Sequence, residues 1–318
     1  MIHPDDPPPA TAAPHRTGAW RAVRLAFSAL VAAVLVVVAA RAVDGLSSVS
    51  LRLDVPWLAA AYPLGIAAFP LLALAWAELL AAYGTRLPGR RAVRLWALAQ
   101  ASRYLPTGLA AVASRAVLAA REGVPAGLTV TTMVVEGALV VAWSAAAGLA
   151  LVAAGTAATT AGPVAVAGVV AVIAIPSAAV AASRPRAGVV ARLVARLSRR
   201  PDPARPGPMV MATLAVGANM AVKGAVFVLF ARALLHVHGA DVALLFGAVN
   251  LAVAAGMVGV TPAGLGVREG VLAALLSHRF GAADATALAV ALRVWDLAVE
   301  LPWVAVAALT GRTSRAPK

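Results

Sequence analysis

The sequence predicts an all-α, polytopic membrane protein with about eight transmembrane helices and one or more re-entrant helical hairpins. Three observations predict it. The 318 residues are 62% hydrophobic and 13% charged, about half the charge of a soluble domain, with a mean hydropathy of +0.87. The apolar residues gather into runs of about 20, the length that crosses a bilayer. The net charge of +14 falls mostly in short segments between those runs, as the positive-inside rule requires of a cytoplasmic face. So few charges could not cover a water-soluble globule, and lipid tails remove the need.

The elements follow in order. Residues 1–20, rich in Pro, Ala and Thr, read as a disordered cytoplasmic tail. A single transmembrane domain is expected over 21–311. Its first span is Val23–Val43, whose unbroken core Leu25–Ala40 exceeds the roughly 7–15 residues of a signal peptide, so the span should stay uncleaved. A loop in which Arg41 and Arg52 balance Asp44 and Asp54 should face outward. The second span, Trp57–Tyr83, then leads to Arg86, Arg90, Arg91 and Arg94 on the cytoplasmic side. Leu95–Arg121 is apolar on average but broken by Gln100, Arg103, Pro106, Gly108 and Arg115. Each Arg would cost roughly 2.5–3.5 kcal/mol at mid-membrane, and broken backbone survives at that depth only when buried in protein or lining a wet cavity. This stretch is therefore expected to be a re-entrant or interfacial hairpin.

Spans three and four, Ala126–Ala153 and Pro163–Ala182, precede the basic loop 183–208, which is placed in the cytoplasm. Within it, Val189–Ser198 reads as a surface amphipathic helix on anionic headgroups. Spans five and six are Met209–Leu235 and Val242–Val260, followed by a shorter apolar piece, Val267–Phe280, a last span, Ala285–Leu309, and a basic tail, 312–318. If Val267–Phe280 crosses, both termini and every basic loop share the cytoplasmic side of a bacterial inner membrane. If it only re-enters, the tail would lie outside, so charge favours crossing.

Several chemistries are excluded by composition. The chain has no cysteine, so it has no disulfide, thiolate metal site or Cys nucleophile. It contains no Walker motif, nucleophile elbow or zinc motif, so no cofactor, no metal site and no enzymatic activity are expected. The basic excess lies in loops rather than in a soluble domain, so nucleic acid is not expected as a partner.

The most informative stretch is Thr261-Pro262-Ala263-Gly264-Leu265-Gly266-Val267-Arg268-Glu269-Gly270. Pro262 ends span six by removing an amide donor, and Gly264 and Gly266 allow a sharp turn or a close approach. Arg268 and Glu269 open the next helix, whose N-terminus can hold an anion. A similar break, Leu105-Pro106-Thr107-Gly108-Leu109, lies in the first half, and each break precedes an Arg and a Val-Leu-Ala-Ala run. Paired interrupted segments in two halves point to a transporter binding site. A second group of candidates is the charges inside apolar spans. Lys223 sits mid-span five and Glu136 in span three, while Arg293, Asp296 and Glu300, spaced i, i+3, i+7, share one face of the last helix. Such residues are costly in lipid and face the bundle interior. They form either a fixed ion-pair network or a cavity in which Arg115, Arg268 and Arg293 meet a phosphate and Glu136, Asp296 and Glu300 meet a cationic headgroup or couple to protons. Lys223 is expected within pairing distance of Glu136, Asp296 or Glu300.

The run from Pro262 to Glu269, followed by a small-residue helix, resembles the lysylphosphatidylglycerol synthase transmembrane-region family, also called flippase-like domain proteins. Arg103 to Gly108, then Arg115 and Arg121 to Val124, resembles that family's early Tyr-x-Pro-Gly…Arg…Arg-x-Gly region, with Thr107 separating the usual Pro-Gly pair. Glu136 resembles its acidic position in the following helix. The resemblance covers roughly Leu25 to Leu309 and implies an eight-helix lipid-handling unit. In two-domain members a similar region is thought to move aminoacylated lipid between leaflets, and a soluble domain attaches the amino acid from charged transfer RNA. That soluble domain is not expected in this chain.

Together these readings point to an integral membrane protein that binds and translocates a phospholipid or lipid-linked molecule, with membrane phospholipid as its partner. The rivals are a non-catalytic accessory subunit, whose partner is a membrane glycosyltransferase or lipid-modifying enzyme, and a small-solute or ion transporter. A translocator predicts a groove reaching lipid between the two broken segments. A solute carrier predicts a closed central cavity, and a scaffold predicts a filled interior with every charge paired.

Overall fold

A computed structural model describes residues 50–104, 110–156, 204–258, 264 and 266–313, all within one compact unit, Asp44–Lys318. The expected spans Val23–Val43 and Pro163–Ala182, the amphipathic segment Val189–Ser198, most of the loop 183–208, the N-terminal tail, residues 314–318 and both Pro-x-Gly prolines (Pro106 and Pro262) lie outside the described residues. The described elements are all helical: α1 Val55–Ala82, α2 Gly89–Gln100, a 3-10 turn Ala101–Tyr104, α3 Ala110–Ala120, α4 Ala126–Thr156, α5 Pro206–Leu234, α6 Asp241–Val258, α7 Val267–Phe280 and α8 Ala282–Thr313.

Among the described residues α1, α4 and α5 are long and apolar enough to cross a membrane; at 28, 31 and 29 residues they measure about 42–47 Å. The 32 residues of α8 are as long, but Arg293, Asp296 and Glu300 interrupt their apolar run. Leu149, Met211, Leu214, Val294 and Leu301 stay exposed on the outside of these helices, where lipid would cover them.

Prolines shape α1 and α8. Pro70 and Pro302 sit inside these helices and leave the carbonyls four residues earlier, Ile66 and Ala298, without their helical donors. Each helix supplies the missing donor to the other. The Trp303 indole N–H donates to Ile66 O at 2.9 Å, and the Tyr62 hydroxyl donates to Ala298 O at 3.2 Å. Trp303 also stacks on Phe69 at 5.7 Å, and Tyr62 meets Trp295 edge-on at 5.8 Å. Two breaks that would weaken isolated helices thereby lock this pair together.

Backbone contacts set the topology. The N–H groups of Arg52 and Asp54 donate to Leu234 O and Ala233 O, and Arg205 N–H donates to Ala82 O, so α1 and α5 are antiparallel. The end where α1 begins is here called the near end and the other the far end. Ser50 donates to both carboxylate oxygens of Asp284, so α8 also begins at the near end. α4 runs alongside α5, with Trp143 against Gly217 and the Ser144 hydroxyl 2.9 Å from Met220 Sδ.

Between the long helices lie two short hairpins. α2 and α3, of 12 and 11 residues, enter from the far end and are clasped at their base by Arg91–Glu122 at 3.0 Å. α6 and α7, of 18 and 14 residues, enter from the near end. Arg279 clasps their base with a fork on both oxygens of Asp241, at 2.5 and 3.1 Å. At its inner end α7 meets α8 through Arg268 to Asp296 and Arg293 to Glu269, about 17–21 Å along α8 and short of its midpoint. The two halves, 55–156 and 206–313, thus have the same order of elements, long helix, hairpin, long helix, in opposite orientation.

This arrangement corrects one expectation. A re-entrant Val267–Phe280 does not move the basic tail to the opposite side, because α6 is the other arm of the same hairpin and α8 still begins at the near end.

Close packing holds the arms in place. A Cβ at Gly247 would lie 2.6 Å from Val152 N and 2.9 Å from Gly148 O, so α4 and α6 touch through their backbones, as small residues permit between membrane helices. Phe227, Leu245, Leu272, Leu276 and Leu288 fill the near-end core, and Trp76, Leu80, Leu95 and Trp96 the far-end core.

Candidate functional site

Between the two hairpins and the long helices lies a cavity of about 490 Å³, within the range of small-molecule sites. From the first hairpin Trp96, Gln100 and Arg115 reach it, and from the second Gly256, Gly264 and Arg268. α4 adds Glu136, α5 adds Asn219 and Lys223, and α8 adds Arg293, Asp296 and Glu300. Their spacing explains the placement, since i, i+3, i+7 on α8 and i, i+4 on α5 each turn one face inward.

The charges are matched within the wall. Arg115 donates to Glu136 at 2.6 Å, their side chains 4% and 10% exposed. The other Glu136 oxygen accepts the Trp96 indole N–H at 3.3 Å. The Arg115 guanidinium also lies 5.4 Å from the ring centres of both Trp76 and Trp96, close enough for cation–π attraction. Arg268 donates to Asp296 at 2.6 Å, and Arg293 to Glu269. At the inner turn Gly264 has φ +67°, and a Cβ there would lie 2.9 Å from Gly256 Cα. Only glycine fits that left-handed, backbone-to-backbone position.

Of the sequence candidates, Gly264, Arg268, Arg293, Asp296, Glu300, Arg115, Glu136 and Lys223 all line this cavity. Lys223 therefore shares a wall with the three acids expected near it. Glu269 and Gly266 do not line it. One Glu269 oxygen accepts Gly266 N–H at 2.7 Å and the other pairs with Arg293. The α7 N-terminus, expected to be free for an anion, is thus occupied by the carboxylate of its own first turn. The three arginines expected on a phosphate each hold a carboxylate.

Trp76, Trp96 and Trp295 are buried, whereas Trp57, under the Arg232 guanidinium at 5.0 Å, is exposed at a helix start. Asn219 was not among the sequence candidates. Its signal was available: a polar amide one turn before Lys223 in an apolar span, on the same face.

The fold and cavity define a multi-pass membrane protein with a charge-lined chamber between two oppositely inserted hairpins. The chain belongs to the family described as lysylphosphatidylglycerol synthase TM region, which matches residues 21–301. Comparison with curated proteins and with solved structures found no match.

Proposed function

We propose that this protein is a non-enzymatic translocator that takes the headgroup of a phospholipid or lipid-linked molecule into its central cavity and moves it between leaflets. The observation that carries this reading is the cavity itself. It lies between two half-length hairpins that enter from opposite ends, with an arginine on each returning arm, Arg115 within α3 and Arg268 at the start of α7. Interrupted helices in inverted halves, meeting at a polar site, are the architecture of alternating access. An accessory scaffold predicts a filled interior with every charge paired; the cavity speaks against it, although the wall arginines are paired as it expects, and a small-solute carrier, which shares a central cavity, is separated from a lipid translocator by the flip assay below. A headgroup phosphate would have to displace a carboxylate from Arg115, Arg268 or Arg293 to engage a guanidinium, while the exposed apolar helix faces suit the acyl chains.

Charge supports an orientation with the far end in the cytoplasm of a bacterial inner membrane. Arg86, Arg90, Arg91, Arg121 and Arg205 are exposed there against Glu122, whereas near-end Arg52, Arg232 and Arg279 are matched by Asp54, Asp241 and Asp284.

The test is a fluorescent-lipid flip assay in proteoliposomes, comparing wild type with Arg268→Ala and Asp296→Ala. Wild type should move lipid, and each variant, by leaving an unpaired charge on the cavity wall, should slow it. Absence of transport in wild type, or equal transport in all three proteins, overturns the reading.

A further inference from the structure

We propose that the near end of α1 and α5 holds the phosphodiester of a membrane phospholipid on the Arg232 guanidinium beside the Trp57 ring, at the membrane surface and apart from the central cavity. Arg232 lies in the last turn of α5 and Trp57 in the first turn of α1, with the guanidinium carbon 5.0 Å from the ring centre. At 28 and 29 residues the two helices measure about 42–44 Å. A bilayer with its headgroup layers is about 40–45 Å thick, so these helix ends fall at headgroup depth.

Arg232 carries donors that no described residue uses. Its Nε is buried without a hydrogen bond, and its terminal nitrogens are accessible and equally unbonded among the described residues. The near-end charges match in number, but two of the acids are engaged elsewhere. Asp241 takes the Arg279 fork and His238 N–H, and Asp284 takes Ser50. The third, Asp54, forms no salt bridge with Arg232. Arg52, at the same junction, donates to Leu235 O and to the unprotonated Nε2 of His236. Both acceptors are neutral, so its charge also stays uncompensated. The C-terminal dipole of α5 favours a cation at Arg232 but takes none of its N–H groups. A phosphodiester offers two oxygens in the geometry of the guanidinium fork, and tryptophan is favoured at headgroup level.

The surface below points to a lipid rather than a free anion. Asp54 N–H meets Ala233 O on the antiparallel α5. The helix faces that carry Trp57 and Arg232 therefore continue inward side by side, as Ala60 and Leu64 on α1 and Leu229 and Ala225 on α5. All four are apolar and exposed or half-buried, a bed for an acyl chain hanging from the phosphate.

The test titrates delipidated protein in neutral detergent with dioleoylphosphatidylmethanol, a phosphodiester with a minimal headgroup, and counts bound lipids by native mass spectrometry. Dioleoylglycerol supplies the chains without the phosphate, and sodium phosphate the anion without the chains. Wild type should hold one lipid more than Arg232→Gln, with an affinity for it at least about tenfold higher, as loss of a charge-assisted bond implies. Trp57→Leu, an independent variant in case the first fails to fold, should also bind more weakly. Asp54→Asn removes a neighbouring negative charge and should bind at least as tightly as wild type.

Unchanged retention by folded Arg232→Gln, even with a lowered Tm, overturns the site and leaves Arg232 with the helix end alone. Dioleoylglycerol held as tightly as the phosphodiester overturns phosphate recognition, and displacement of the lipid by an equal concentration of sodium phosphate overturns the lipid in favour of a free anion. Weaker binding by folded Asp54→Asn overturns the charge argument. The readout is binding at the surface, so its outcome is separate from that of the flip assay.

Discussion

Single residues in this protein are tied to a physical need that can be removed and measured. Trp303 completes the carbonyl that Pro70 leaves open. Trp303→Phe keeps the ring stack on Phe69 and removes only the donor, so it should cost about 1 kcal/mol, the usual net value of a hydrogen bond. In a Pro70→Ala background the restored N–H can serve Ile66 O, and the same substitution should cost less. A double-mutant cycle by thermal unfolding in detergent reads the difference, and equal costs in the two backgrounds would refute the assignment. Arg115 and Glu136 are buried together. Arg115→Leu leaves a lone carboxylate and should destabilise by about 3–5 kcal/mol, whereas Arg115→Leu with Glu136→Leu should recover most of that loss. The charges were legible in the sequence because ionisable residues inside apolar runs must face a polar interior. Their partners were not, because Arg268 to Asp296 and Arg293 to Glu269 are set by how α7 docks on α8, which spacing along one helix does not encode. Asn219 could have been added to the candidates from its place one turn before Lys223 in an apolar span; only its bond to Ala68 O, on another helix, was not legible.

Among the elements, the second hairpin is held by a backbone contact at one side and an ion pair at its base. Gly247→Ala would drive a Cβ to 2.6 Å from Val152 N, where backbone cannot yield cheaply. A loss of about 1–3 kcal/mol is expected, read as a lowered Tm. At the base, burial alone would push the Asp241 carboxyl up, but the bonds from Arg279 and His238 N–H, with the Arg279 charge, hold it below its ordinary value of 3.8. A carboxylate with a depressed folded value contributes stability that is complete above the unfolded value and is lost as pH falls through the folded one. The Tm gap between wild type and Asp241→Asn should therefore be constant above about pH 5 and shrink below about pH 3.8; a gap that persists at acid pH would show that the carboxylate's charge is not what matters. Helix boundaries were the most legible part of the chain. Val267–Phe280 was read to the residue, and Trp57–Tyr83 and Met209–Leu235 fall within a few residues of α1 and α5. That Val267–Phe280 is the returning arm of a hairpin was harder to see, since an apolar run reports burial and not depth.

At the scale of the whole molecule, the two Pro/Gly breaks singled out in the sequence lie along the chain between paired helices, α2 and α3 in one half and α6 and α7 in the other. Their similarity therefore has a structural counterpart in the inverted order of the halves, which a local pattern could suggest but not orient. The chain lacks cysteine, so single introduced thiols can report sidedness without background. In intact, correctly oriented vesicles a membrane-impermeant maleimide should label His236→Cys directly and Arg90→Cys only after permeabilisation; simultaneous labelling of both would contradict the placement of their ends on opposite faces. The inverted halves have a further consequence. Turned over, the scaffold presents the same sequence of parts to whichever leaflet it meets, so its architecture carries no arrow. If the cavity carries lipid as proposed, net flow would run down the lipid's own concentration difference, and any bias in rate must arise where the halves differ: Glu136 against Asp296, an arginine within α3 against one at the start of α7, and a basic face against a balanced one.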